Sequence, residues 1–205
     1  TAGSNSISTI VFRNRSVSGT VSFASPQTFA TNSEGSQGIA SGDLDKDGKL
    51  DIVVSTNGNN TVSVLQNRST AGTISFTSGP TLTGLSNSFG VAIGDFNQDG
   101  NPDIAVANQG SATISFFLNT NSLTGTISFP ATASLTVTTG TNPFDLSVGD
   151  VDGDGKNELT ISGEWMPVGI YKVQNGQFKK AMQTVSFVYT TTKKDTTINL
   201  DELRG

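Results

Sequence analysis

The stretch Gly94-Asp95-Phe96-Asn97-Gln98-Asp99-Gly100-Asn101-Pro102-Asp103-Ile104-Ala105-Val106 sets oxygen-bearing side chains at the first, third, fifth and ninth positions after a glycine, then runs straight into β-forming residues. The same order stands at Gly42 to Val54 (GDLDKDGKLDIVV) and at Gly149 to Ile161 (GDVDGDGKNELTI). Calcium is a hard cation that takes about six to eight oxygens, and alternating carboxylates around one tight turn supply them from a single segment. The side-chain ligands expected are Asp43, Asp45, Asp47 and Asp51 in the first loop, Asp95, Asn97, Asp99 and Asp103 in the second, and Asp150, Asp152, Asp154 and Glu158 in the third. Gly48, Gly100 and Gly155 hold position six, where a sharp turn aims the next backbone carbonyl, that of Lys49, Asn101 or Lys156, at the ion. Three Ca2+ sites are therefore expected. The second should be the weakest, because neutral Asn97 leaves it one carboxylate short.

An EF-hand loop opens in the same way but needs a Glu at position twelve and a helix after it. Position twelve here is Val54, Val106 or Ile161, and the residues before it are Ile52-Val53, Ile104-Ala105 and Leu159-Thr160. These loops join strands. Polar turns are also rich in Asp, Asn and Gly, but one turn does not reproduce itself three times with every ligand position filled.

The net charge of −5 is distributed unevenly. The three nine-residue loops hold eleven of the seventeen acidic residues and three of the twelve basic ones, a local charge of −8, while everything else sums to +3. The acidity is thus a property of the loops. No basic stripe with interleaved aromatics appears, so nucleic acid is not an expected partner. No segment approaches the about 20 apolar residues of a membrane-spanning helix, so membrane insertion is not expected. The chain has no Cys and no His, which removes disulfides, thiolate sites and Ser-His or Cys-His nucleophiles. Opening on Thr1, it reads as a processed or excised segment.

Working outward from the loops, the sequence repeats with a period of about 53 residues, a spacing that signals a tandem architecture. Gly19-Thr20-Val21-Ser22-Phe23, Gly72-Thr73-Ile74-Ser75-Phe76 and Gly125-Thr126-Ile127-Ser128-Phe129 recur, as do the segments ending at Asn14, Asn67 and Asn119. The expected units are a half blade at 1–35, whole blades at 36–88 and 89–142, a shortened blade at 143–178 and C-terminal strands at 179–205. Each whole unit reads as four short strands, the fourth being Thr73 to Thr77 or Thr126 to Phe129. In the shortened unit the third strand is expected at Val168 to Gln174, with Asn175-Gly176 as a turn, and further strands at Val185 to Tyr189 and Thr196 to Leu200. Phe23, Phe76 and Phe129 recur with the repeat and are expected in the core. Such units, each burying its faces against its neighbours, predict an all-β fold: a β-propeller or partial propeller of four-stranded antiparallel blades with calcium loops.

The run from Phe89 to Val106 resembles an FG-GAP (VCBS-type) repeat, the blade of integrin alpha-subunit propellers and of many secreted bacterial proteins. The resemblance covers about residues 5–178. Phe-Gly itself stands only at Phe89-Gly90; the other units carry Gln37-Gly38 and Phe144-Asp145. The Gly-Ala-Pro of the family pattern is replaced by Ser55-Thr56-Asn57, Ala107-Asn108-Gln109 and Ser162-Gly163-Glu164. The resemblance implies a calcium-stabilised, non-catalytic adhesion or ligand-binding module of a secreted or cell-surface protein. Its partner would be a protein or carbohydrate, with further blades drawn from a longer chain or from self-association. The alternatives are the propeller domain of a polysaccharide-active enzyme and a self-assembling surface element. For an enzyme, carboxylates outside the loops such as Asp145 and Glu164 would have to carry the chemistry, and Trp165 beside Glu164 is a candidate sugar-stacking group that more readily packs at a blade edge.

Overall fold

The computed structural model describes residues 8–32, 34–139, 142–164, 169–174 and 177–183. The strands anticipated at Val185 to Tyr189 and Thr196 to Leu200, the turn Asn175-Gly176 and Trp165 lie outside the described residues. The chain is all-β. Its strands are β1 (Ser8–Val11), β2 (Gln27–Ala30), β3 (Ser36–Gly42), β4 (Asp51–Thr56), β5 (Thr61–Asn67), β6 (Phe76–Leu82), β7 (Ser88–Gly94), β8 (Asp103–Asn108), β9 (Thr113–Phe117), β10 (Leu135–Thr138), β11 (Pro143–Gly149), β12 (Glu158–Gly163), β13 (Gly169–Gln174) and β14 (Gln177–Gln183). They form antiparallel sheets in chain order: β1-β2, β3-β4-β5-β6, β7-β8-β9-β10 and β11-β12-β13-β14.

The middle sheet explains why these strands read as near-continuous apolar runs. Ile104 and Val106 of β8, with Phe117 of β9, pack into a core shared with Val53, Val62 and Val64 of the sheet before. Their neighbours Ala105, Ala107 and Phe116 face the other way, onto Leu146, Leu159 and Ile161 of the sheet after. Alternate residues of a strand point to opposite faces, so a sheet covered on both sides needs apolar residues at every position. All six residues of β8 are buried.

The first strands β3, β7 and β11 lie side by side. They approach so closely that glycine is required: a Cβ on Gly38 would stand 2.5 Å from Phe89 O, and one on Gly90 would stand 2.7 Å from Asp145 Cα. Phe89 and Phe144 meet there, with ring centroids 4.3 Å apart. Among the described residues no further first strand packs on the far side of β3, and Ile39 is 62% exposed. The described sheets stack as blades do, without closing a ring.

Two expectations are corrected. The fourth strands are not Thr73 to Thr77 and Thr126 to Phe129 but Phe76–Leu82 and Leu135–Thr138. The recurring Gly-Thr-Ile/Val-Ser-Phe segment is mainly the returning arm of a narrow ribbon whose tip is a glycine at φ +80 to +83° (Gly19, Gly72, Gly125). Arg15 N bonds Ser22 O, and Arg68 N bonds Ser75 O at 2.8 Å, so the β-forming residues after each tip pair within the ribbon before the chain rejoins a sheet. Phe23, Phe76 and Phe129 recur because the ribbon does. They are not core: Phe23 is 56% exposed, Phe76 is half-buried against Phe29, and Phe129 is half-buried at the edge of the first core. Each sits at a ribbon foot, where only one face is covered.

Candidate metal centre

Each acidic loop closes the hairpin between the first two strands of a sheet: Gly42 pairs with Asp51, Gly94 with Asp103 and Gly149 with Glu158. The turn is held by the same bonds each time. The first-position carboxylate accepts from the amides at positions five and six: Asp43 from Asp47 N and Gly48 N, Asp95 from Asp99 N and Gly100 N, Asp150 from Asp154 N and Gly155 N. Position three accepts from position five, at Asp45, Asn97 and Asp152. Position five accepts from position seven, so Asp47, Asp99 and Asp154 fix the amides of Lys49, Asn101 and Lys156. Gly48, Gly100 and Gly155 stand at φ +82 to +85°, as the turn requires. Position four is also left-handed, at Lys46, Gln98 and Gly153, which the sequence pattern alone did not reveal.

The ninth-position acid anchors the loop to its sheet. Asp51 accepts from Leu44 N and from Asn67 N, each at 2.8 Å, and Asp103 accepts from Phe96 N at 3.0 Å and Asn119 N at 2.8 Å. Both residues have no exposed surface. Burial is the largest influence on them and outweighs those hydrogen bonds, so each carboxyl is pushed up to about 6. Half-buried Asp47 is held below the usual range by Lys49, and exposed Asp154 by Lys172.

The structure brings carboxylate oxygens of Asp43, Asp45 and Asp51 within 4.8 Å of one another, and likewise those of Asp150, Asp152 and Glu158. Three like charges in so small a space repel unless a cation joins them. All the donors are oxygens, the set a hard divalent ion prefers. Glu158 adds a direct sign of fit: its Oε2 accepts from Val151 N, while Oε1, buried, has no hydrogen-bond partner. The second loop does not assemble such a triad among the described residues; Asn97 donates Nδ2 to Asp99 Oδ2 instead. Asp47 turns to Lys49 Nζ, 2.9 Å away, and Asp154 to Lys172, so these two stand outside the triads.

Further residues hold the loops from outside them. Asn67 donates Nδ2 to Leu50 O, and Asn119 donates to Pro102 O and also to Leu44 O of the preceding sheet's loop. Gln66 Nε2 reaches Asp45 Oδ2 and Gly125 O, while Gly125 N bonds Asp45 O. The second sheet's ribbon thus roofs the first loop. The recurrence of Asn14, Asn67 and Asn119 was the sequence signal for this role. Their Oδ1 atoms also accept from the amide two residues on, closing a local turn at each.

The family model described as an FG-GAP-like repeat matches residues 2–54, 43–106 and 95–161. The chain belongs to the FG-GAP repeat family. Successive FG-GAP matches overlap on the first and second acidic loops, so the second and third matches each run from one loop into the strand that follows the next. No curated protein sequence matches the chain. Within this FG-GAP chain Gly90 of the Phe-Gly pair has a steric task, the backbone contact with β11 described above.

Proposed function

We propose that the chain is a calcium-stabilised, non-catalytic blade array from a β-propeller of a secreted or cell-surface protein, with calcium in the three acidic loops. The observation that carries the reading is the triad Asp43, Asp45 and Asp51, two of whose members are wholly buried with their carboxylates converging. A bound divalent ion offsets that repulsion and pins the hairpin, making calcium affinity a part of folding stability. Asp43, Asp45, Asp47 and Asp51 with the Lys49 carbonyl would form the first site, Asp95, Asn97, Asp99 and Asp103 with the Asn101 carbonyl the second, and Asp150, Asp152, Asp154 and Glu158 with the Lys156 carbonyl the third. Calcium loops of this kind suit extracellular calcium levels. The FG-GAP membership supports a role in adhesion or ligand binding, the partner being a protein or carbohydrate.

Ile39 is exposed on β3, an end strand of the described row, whereas its counterpart Val91 on β7, flanked by β3 and β11, is buried, and this supports completion of the array by further blades or a second copy. Thermal unfolding followed by circular dichroism, with calcium and again with EDTA, tests the metal reading. The melting temperature should rise with calcium and lose much of that rise in Asp45→Ala and Asp152→Ala. Equal melting with and without calcium would reduce the loops to polar turns and sink the proposal.

A further inference from the structure

The three loops differ in what reaches them from the third strand of their own sheet. Ile52 pairs with Leu65, Ile104 with Phe117 and Leu159 with Tyr171. The next residue along, beside the ninth-position acid, is therefore Gln66 in the first sheet, Leu118 in the second and Lys172 in the third. One register position presents an amide, an alkyl group and an ammonium to otherwise similar loops. Lys172 Nζ bonds Asp152 and also Asp154, the latter at 3.0 Å, and stands 3.8 Å from Glu158 Oε1.

Glu158 supplies an independent observation. It is 1% exposed, and its Oε1 has no hydrogen bond, because 3.8 Å from an ammonium is an ion pair beyond hydrogen-bonding range. A buried carboxylate oxygen without a donor is costly. Lysine is a compact point charge, and here it serves Asp152 and Asp154 while leaving Glu158 short. A divalent ion with its larger coordination number takes all three at once.

We propose that Lys172 is a tethered competitor for the third loop: its ammonium takes the place of the divalent cation, and calcium enters only by expelling it. The inference rests on the calcium reading of the loops and adds that the residue at the Gln66, Leu118 or Lys172 position sets each loop's affinity. It ranks the third loop below the second, which carboxylate count alone would make weakest.

Calorimetric calcium titration of the whole chain, beside Lys172→Gln, Lys172→Met and Lys172→Arg, tests it, with circular dichroism to confirm that each variant folds. The Gln and Met variants should tighten one site by about tenfold or more, since site charge sets affinity in such loops, and the Arg variant should not. Adding Asp150→Asn to Lys172→Gln should remove the tightened site. Acetylation of Lys172, read by mass spectrometry, should increase with calcium while that of exposed Lys46 stays constant. If calcium fills the first loop, as shown by its loss in Asp45→Ala, yet the Lys172 variants titrate like the parent, the competitor is overturned and the calcium reading stands. Lys172 acetylated equally with and without calcium also overturns it. No uptake by any of the proteins overturns both.

Discussion

Acidifying the metal-free protein should stabilise it. Asp51 and Asp103 are wholly buried at the ninth loop positions, and burial moves both carboxyls from an ordinary 3.8 to about 6. A group that holds its proton more tightly folded than unfolded adds stability as pH falls through its folded value, and that gain is complete below the unfolded value. Going from about pH 7.5 to about pH 5, linkage gives on the order of 1.4 kcal/mol for each group and about 3 kcal/mol for the pair. Asp47 and Asp154, held low by their lysine partners, act in the opposite direction, but only below about pH 4 and so outside this window. Calcium reverses the sign, because it binds the ionised carboxylates and competes with protons. Urea unfolding at both pH values, in EDTA and in calcium, reads the effect. The midpoint should rise on acidification in EDTA and fall in calcium, and Asp51→Asn and Asp103→Asn should each remove about half of the EDTA response. A midpoint that falls on acidification in EDTA would refute the argument from burial.

Gly90→Ala should cost about 3 kcal/mol or more, because its Cβ would meet the backbone of β11 at 2.7 to 3.0 Å, and urea denaturation should separate it from Gly149→Ala, whose Cβ meets nothing within 4 Å. Asn119→Ala strips donors from Leu44 O and Pro102 O in a nearly buried position and should cost about 2 kcal/mol. The same variant should weaken calcium binding at the first loop, measured by titration, whereas a loss of stability with unchanged binding would confine Asn119 to a packing role.

The loops were legible in the sequence because a tight oxygen-lined turn tolerates few residue types at each position, and glycine at position six is forced by its left-handed backbone. The first three strands of each whole unit were legible for a similar reason, as Asp51–Thr56 and Asp103–Asn108 begin where the loops end. The fourth strands were misplaced because Thr, Ile, Ser and Phe favour any extended pairing. Nothing in Gly72-Thr73-Ile74-Ser75 tells whether its partner is a sheet strand or the other arm of a ribbon. The recurring asparagines marked a role, but the loop contacts of Gln66 and Lys172 and the reach of Asn119 to Leu44 were hidden because they depend on strand register and on the neighbouring sheet. Asn119 meets Leu44 across 75 positions of chain, a distance no local pattern spans.

The roof over the first loop changes what kind of energy an ion there supplies. Leu44 and Asp45 belong to one repeat, while Asn119 and Gly125, which bond them, belong to the next. In a nearest-neighbour description of a tandem array, stability divides into an intrinsic term for each unit and a coupling term for each junction. A cation that orders Asp45 orders the surface on which the following unit rests, so its binding energy falls largely in the coupling term. Chelation would therefore broaden unfolding of the array as well as lower its midpoint, turning one cooperative transition into a succession of loosely joined ones.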